Sequence, residues 1–181
     1  MKRFAGRSAL SVGVAAGLAL TASPALASPG GPGVEAVVVR QGTVSGSELI
    51  AQAAREGTPY SAAEAAAIKK APCRWVERQA GYRKGKKGYW YFWVKERLNW
   101  CYDGAEVVSA KAKYRSYTRN KNVYRWRGWS KKKLVHTGSW SSVTARVKGK
   151  FYYTGDGRTY KPWATITGRY DGSASWWSAS N

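Results

Sequence analysis

The sequence predicts an all-β fold, a single Ig-like β-sandwich or small barrel of about seven or eight antiparallel strands, preceded by a short helical N-terminal segment. Three observations predict it. Dense runs of aromatic and β-branched residues fill the second half of the chain, turn signals divide them at roughly ten-residue spacing, and the longest run after a turn alternates in parity. Composition marks where this begins. From Ser28 to Pro72 four Lys/Arg balance four Asp/Glu, whereas from Cys73 onward 24 Lys/Arg face six Asp/Glu. That second part also holds all ten Trp and 11 of the 12 Tyr.

In chain order, residues 1–27 have the three parts of a cleavable secretory signal. Lys2, Arg3 and Arg7 form the positive end, Ala9 to Leu20 the apolar run, and Ala25-Leu26-Ala27 the small residues before a cut at Ser28. The apolar run is too short to span a bilayer comfortably, so the expected product is secreted, free of membrane and without a transmembrane segment. Residues 28–72 follow as a linker and short helical segment. They begin with a Gly/Pro stretch and a short strand over Ala36 to Arg40. Two helices come next, over Ser47–Arg55 and Ser61–Lys70, each announced by a Ser-x-x-Glu capping box. Both are rich in Ala and poor in large apolar residues, so neither buries much alone. A hairpin laid on the following domain and a removable pro-segment are both open readings.

Residues 73–181 form the basic, aromatic β domain. Gly88 to Val94 is a run of β-formers continuing through Leu98 to Tyr102, and Asp103-Gly104 predicts a two-residue hairpin turn. Ala105 to Thr118 returns. Further strands are expected over residues 123–129, 134–137, 140–147, 150–154, 163–170 and 173–177. The turns between include Asn120-Lys-Asn122, Gly155-Asp-Gly157 and Asp171-Gly172. Cys73 and Cys101 are the only cysteines. An even count in an exported chain, without close spacing or neighbouring His, predicts one structural disulfide between them.

The residue inventory supplies little for catalysis. His136 is the single histidine, no Gly-x-Ser-x-Gly is present, and no metal or cofactor set is recognisable. Glu77, Glu96 and Glu106 are expected in strands, and Glu96 with Glu106 is the one carboxylate pair a hairpin would bring near each other. Surface ion pairing is the simpler role for all three, so no catalytic residue and no enzyme is expected.

Binding is better supported. The excess of Lys/Arg attracts polyanions, and its interleaving with flat aromatic rings suits stacking on sugars or bases. The candidate ligand-binding residues are Arg83, Lys84, Lys86 and Lys87 in one loop, and Arg125, Trp126, Arg127, Trp129, Lys131, Lys132 and Lys133 in one strand region. More than half of the Trp residues are expected in the core, with Trp126, Trp129 and Trp176-Trp177 as the exposed minority. An exported protein seldom meets nucleic acid, so the expected partner is an anionic polysaccharide or cell-wall polymer. The alternative is a cationic antimicrobial protein, and behind it a carboxylate-dependent hydrolase.

The segment Asn99-Trp-Cys-Tyr-Asp-Gly-Ala-Glu-Val-Val-Ser109 resembles the Trp-Cys-x-(Asp/Asn)-Gly hairpin of uncharacterised secreted actinobacterial β-sandwich proteins. An aromatic strand before it, Tyr124 to Gly128, Gly149 to Phe151 and Pro162-Trp163 after it follow the same order. The resemblance spans residues 73–175 and implies an extracellular β-sandwich. It implies no activity, and the second late cysteine pair frequent in that group is absent.

Overall fold

The computed structural model describes residues 33–179, so the signal expected over residues 1–27 lies outside the described residues. The elements run β1 (Val34–Val44), α1 (Gly46–Arg55), α2 (Ala62–Lys70), β2 (Cys73–Arg83), β3 (Trp90–Tyr102), β4 (Val107–Thr118), β5 (Tyr124–His136), β6 (Ser142–Tyr153), β7 (Thr159–Tyr160), β8 (Trp163–Arg169) and β9 (Ala174–Ala179). Sheet 1 has the order β1-β2-β3-β4 and sheet 2 the order β5-β6-β8-β9, with short β7 also beside β6. All pairings are antiparallel. The result is the two-layered all-β sandwich that the sequence predicts. Its connectivity is two successive meanders, simpler than the interleaved sheets of an immunoglobulin domain.

The strands are fewer in the C-terminal half and longer than expected. Residues 123–129 and 134–137 belong to one strand, β5, because Lys131–Lys133 between them pair in regular register with Lys148–Arg146 and bulges take up the irregularities before them. Its register shifts between Trp126 and Trp129 and again between Trp129 and Lys131, and Gly128 takes φ 91°. Residues 140–147 and 150–154 likewise merge into β6. Gly149 does not break that strand. It leaves room for the Trp126 ring, whose Cζ3 would stand 2.7 Å from a Cβ there. The hairpin at Asp103-Gly104 is present, with four residues between β3 and β4 instead of two. Asp103 Oδ1 accepts from the backbone N–H of Ala105 and of Glu106, which closes the wider loop.

β1 extends well beyond the short strand expected at Ala36–Arg40. It pairs with β2 along its whole length, from Val34 opposite Arg83 to Val44 opposite Cys73. Both helices begin at their capping boxes: Ser45 and Ser61 accept from the N–H of Glu48 and Glu64, and each carboxylate returns to the cap. Leu49 of α1 and Ile68 of α2 pack with Cys73 and Cys101 on the outer side of sheet 1.

Cys73 and Cys101 form the expected disulfide. They stand directly opposite each other in β2 and β3, with Cα atoms 4.0 Å apart. The adjacent bond, from the Tyr102 N–H to the Pro72 carbonyl, identifies this as a non-hydrogen-bonded pair, where strands approach closest. Closing a loop of that length stabilises the fold by roughly 3.5 kcal/mol through the unfolded chain.

Between the sheets, Phe92 and Phe151 stack at 4.6 Å, and Trp100 lies against Val143 and Ile166. Trp100 is the one fully buried Trp, which corrects the expectation that most Trp would be core. The inner faces are filled by Phe, Val, Ala, Leu and Ile, and most indoles cover the margins of that core half-buried. Trp140 and Trp177 are exposed.

Candidate functional site

The alternation of β6 fixes the chemistry of sheet 2. Val143, Ala145 and Val147 are buried between the sheets, so Thr144, Arg146 and Lys148 stand on the outer face. Register places their neighbours. One row across the sheet reads Lys131, Lys148, Trp163; the next reads Lys133, Arg146, Thr165, Trp177. Each row therefore begins with two cations directly opposite each other, an arrangement that disfavours pairing. None of the strands of sheet 2 contains an Asp or Glu. Lys131, Arg146, Lys148, Trp163, Thr165 and Trp177 border an open cleft of about 420 Å³, and Lys133 stands beside it at the sheet edge, opposite Arg146. Trp177 is 57% exposed, the most of any large apolar residue in the described chain. Together these groups can neutralise a row of anionic groups and offer indole faces to sugar rings.

The sequence-predicted residues divide between three places. Arg125, Arg127, Lys131 and Lys133 lie on the parity of the outer face, and Arg127 sits over the Tyr152 ring at 5.4 Å. Lys132 falls opposite Val147, on the other parity, and is exposed at the sheet edge. Trp126 and Trp129 correct the expectation of exposure. They are half-buried, meet edge-on at 4.8 Å, and Trp126 packs on Phe151 at 4.7 Å. Trp126 points inward by the same alternation that buries Tyr124, opposite Phe151, and the bulge after it brings Trp129 to the same side. Arg83, Lys84, Lys86 and Lys87 belong to the β2–β3 hairpin of sheet 1 instead. There Arg83 lies over Trp90 and Lys84 over Tyr89, so their ring contacts stay within that hairpin.

Arg146, Lys148 and Trp163 are site residues that sequence reasoning missed. The signal was present: Val143-x-Ala145-x-Val147 puts Thr144, Arg146 and Lys148 on one face. Trp163 needed the register, since only cross-strand pairing brings it beside Lys148.

The carboxylate pair does not assemble. Glu106 lies in the β3–β4 turn, not in a strand, and is exposed. Glu96 is six residues back from the strand end, about 20 Å at ~3.3 Å per residue. Paired glycosidase carboxylates stand about 5–9.5 Å apart. Glu96 is instead fully buried between the sheets, flanked in register by Arg78 and Tyr114, and neither carboxylate oxygen has a hydrogen-bond partner. Burial pushes its pKa up to about 9 against the opposing pull of Arg78. Arg78 is itself engaged elsewhere, its Nη2 donating to Ser178 Oγ at 2.7 Å. His136 stacks on Trp140 at 3.8 Å, with Nδ1 at 2.9 Å from the Thr137 carbonyl. Among the described residues no three His, Cys, Asp or Glu gather as a metal site, and no helix is long and apolar enough to cross a membrane.

Comparison with known proteins returns no family model, no curated protein and no solved structure that matches the chain.

Proposed function

We propose that the chain is an exported, non-catalytic module that holds anionic polysaccharide at or near a cell envelope through the outer face of sheet 2. One observation carries the reading: two successive like-charged cross-strand pairs, Lys131–Lys148 and Lys133–Arg146, share one outer face with the exposed Trp177, on a sheet without a strand carboxylate. Cross-strand repulsion costs roughly 0.2–1 kcal/mol per pair, and a polyanion lying across the face would relieve it. Trp163 and Trp177 supply ring surfaces from the adjacent strands β8 and β9. Export is supported by the signal-like N-terminus and by the disulfide, which oxidising compartments favour. Kinship with the secreted actinobacterial β-sandwiches belongs to the same proposal and is supported by the Trp-Cys-x-Asp-Gly hairpin.

Co-sedimentation with purified cell walls and with polygalacturonate across a salt series tests this function. Retention is expected at low salt and release as salt rises, because polyanion binding is driven by counterion release. The Lys131→Gln/Lys133→Gln variant should lower the slope of log affinity against log salt by about 2, one unit per cation removed. Absence of retention at low salt would sink the reading.

The exposed Trp177 beside cations also favours a second reading, an antagonistic protein acting at anionic membranes. Dye leakage from anionic vesicles separates the two: leakage at micromolar protein supports the second, and intact vesicles leave the polysaccharide module.

A further inference from the structure

The outer face of sheet 1 carries the same charge arrangement as sheet 2, at a separate place. Lys95 stands opposite Arg115 and Arg97 opposite Lys113, two successive like-charged pairs across β3 and β4. The next pair in the row is aromatic: Trp93 opposite Tyr117, stacked at 5.6 Å with 16° between planes. Here the face is walled. Gln52 and the α1 C-cap Glu56 border a cleft of about 160 Å³ whose floor holds Glu77, Lys95, Arg97 and Arg115.

Two of the four cations are already neutralised. Lys95 pairs with Glu77 at 3.0 Å, and Lys113 pairs with Glu56. Arg97 and Arg115 take no carboxylate among the described residues. Arg97 is held in place by its stack on Trp75 at 4.1 Å and by its Nε donating to Asn99 Oδ1 at 3.1 Å. Those contacts orient the guanidinium while its terminal N–H groups stay available for a fork-like bond to a carboxylate. Beyond the cleft, two residues along β4 from Arg115, the exposed Tyr117 stacks on Trp93, whose ring also carries the Lys95 ammonium at 5.3 Å, so Tyr117 is the ring open to a sugar of a chain anchored between Arg97 and Arg115.

We infer that this cleft is a second binding site, for a carboxylated saccharide, and that the protein bridges two polysaccharide chains. The inference rests on the sheet 2 reading for the first chain. Stacked sheets lie about 10 Å apart, and the two faces point in opposite directions. One chain crossing sheet 2 therefore does not also occupy the cleft of sheet 1. A protein with both sites joins neighbouring chains, and bundling requires both.

The test uses the full mature chain with polygalacturonate, its methyl-esterified neutral form, and inorganic polyphosphate. Turbidity and light scattering read bundling, and retention on immobilised polygalacturonate reads binding by either face. Wild type should bundle polygalacturonate and leave the neutral polymer dispersed. The variants Arg97→Gln and Arg115→Gln together should need at least ten-fold more protein to bundle while still being retained. Arg115→Gln alone, an exposed position, guards against a folding defect and should raise the requirement several-fold. Retention without bundling by wild type, or bundling unchanged in both variants, would overturn the second site and leave the first. Loss of all retention would overturn the sheet 2 reading and the bridge with it. Equal bundling of polyphosphate would overturn the saccharide assignment, since the aromatic stack would then contribute nothing.

Discussion

The two outer faces of this sandwich place like charges opposite each other in adjacent strands, yet they treat those charges differently. Sheet 1 brings in Glu77 and, through α1, Glu56, and it anchors Arg97 on Trp75. Sheet 2 brings in no carboxylate from its strands, has no helix over it among the described residues, and leaves Trp177 in solvent. The difference separates two uses of a basic surface. Cations with internal partners hold a helix and shape a cleft, whereas cations without partners face solvent, where the proposed function gives them a polyanion. The sheets also differ covalently, because the disulfide and the helices belong to sheet 1 alone.

The largest expected effect tests that covalent difference. Cys73→Ser with Cys101→Ser should lower stability by roughly 3.5 kcal/mol, read by urea unfolding. It should also expose the α1–α2 segment to proteolysis before sheet 2. Digestion that begins in sheet 2 would contradict the assignment of the anchor to sheet 1.

Comparable in size near neutral pH is the effect of the buried Glu96. Its folded pKa of about 9 lies above its ordinary value, so between these limits the native state holds a proton that the unfolded chain has released. Stability is then full below the ordinary carboxylate range and falls as pH climbs toward 9, by at most about 1.4 kcal/mol per pH unit. Glu96→Gln mimics the protonated side chain. It should flatten this dependence and raise the melting temperature at pH 8. A variant whose melting temperature still falls with pH as wild type does would show that Glu96 is not the group responsible. Neither outer face should notice the change, so polysaccharide retention is expected to persist.

A smaller effect concerns Trp177. Trp177→Ala should leave the fold within about 0.5 kcal/mol of wild type, as an exposed substitution does. Retention of polygalacturonate should weaken several-fold without a change in salt slope, because no cation is lost. An altered slope with unchanged low-salt affinity would mean that Trp177 acts through the charges and not by stacking.

Much of the fold was legible because local signals and tertiary pattern agreed. The Ser45 and Ser61 capping boxes named the helix starts within a residue, and the β-formers between Trp90 and Tyr102 named the longest aromatic strand. The lone cysteines named the disulfide. What escaped was register-dependent. The stretch 130–133 and Gly149 read as breaks, but Lys131–Lys133 pair in register and Gly149 makes space for Trp126, so β5 and β6 run on. Trp126 faces inward by alternation with Tyr124, a pattern masked by the arginines between them, and Trp129 follows it only because the bulge shifts the register. The candidate site was half legible for the same reason. Arg125, Arg127, Lys131 and Lys133 are visible as a basic strand, but Trp163 joins them only through pairing across β6 and β8. Glu96 was signalled only by the alternation Phe92-x-Val94-x-Glu96-x-Leu98-x-Trp100, which puts it on the apolar face of β3, a sign hidden by its charged neighbours Lys95 and Arg97.

The most direct measurement pairs stability with binding in one variant, Lys133→Glu. This puts a carboxylate opposite Arg146 and converts a repulsive cross-strand pair into an attractive one. If the cations of sheet 2 are held for a polyanion, the variant should unfold at a higher temperature than wild type and bind polygalacturonate at least ten-fold more weakly. A more stable variant with undiminished binding would contradict the account.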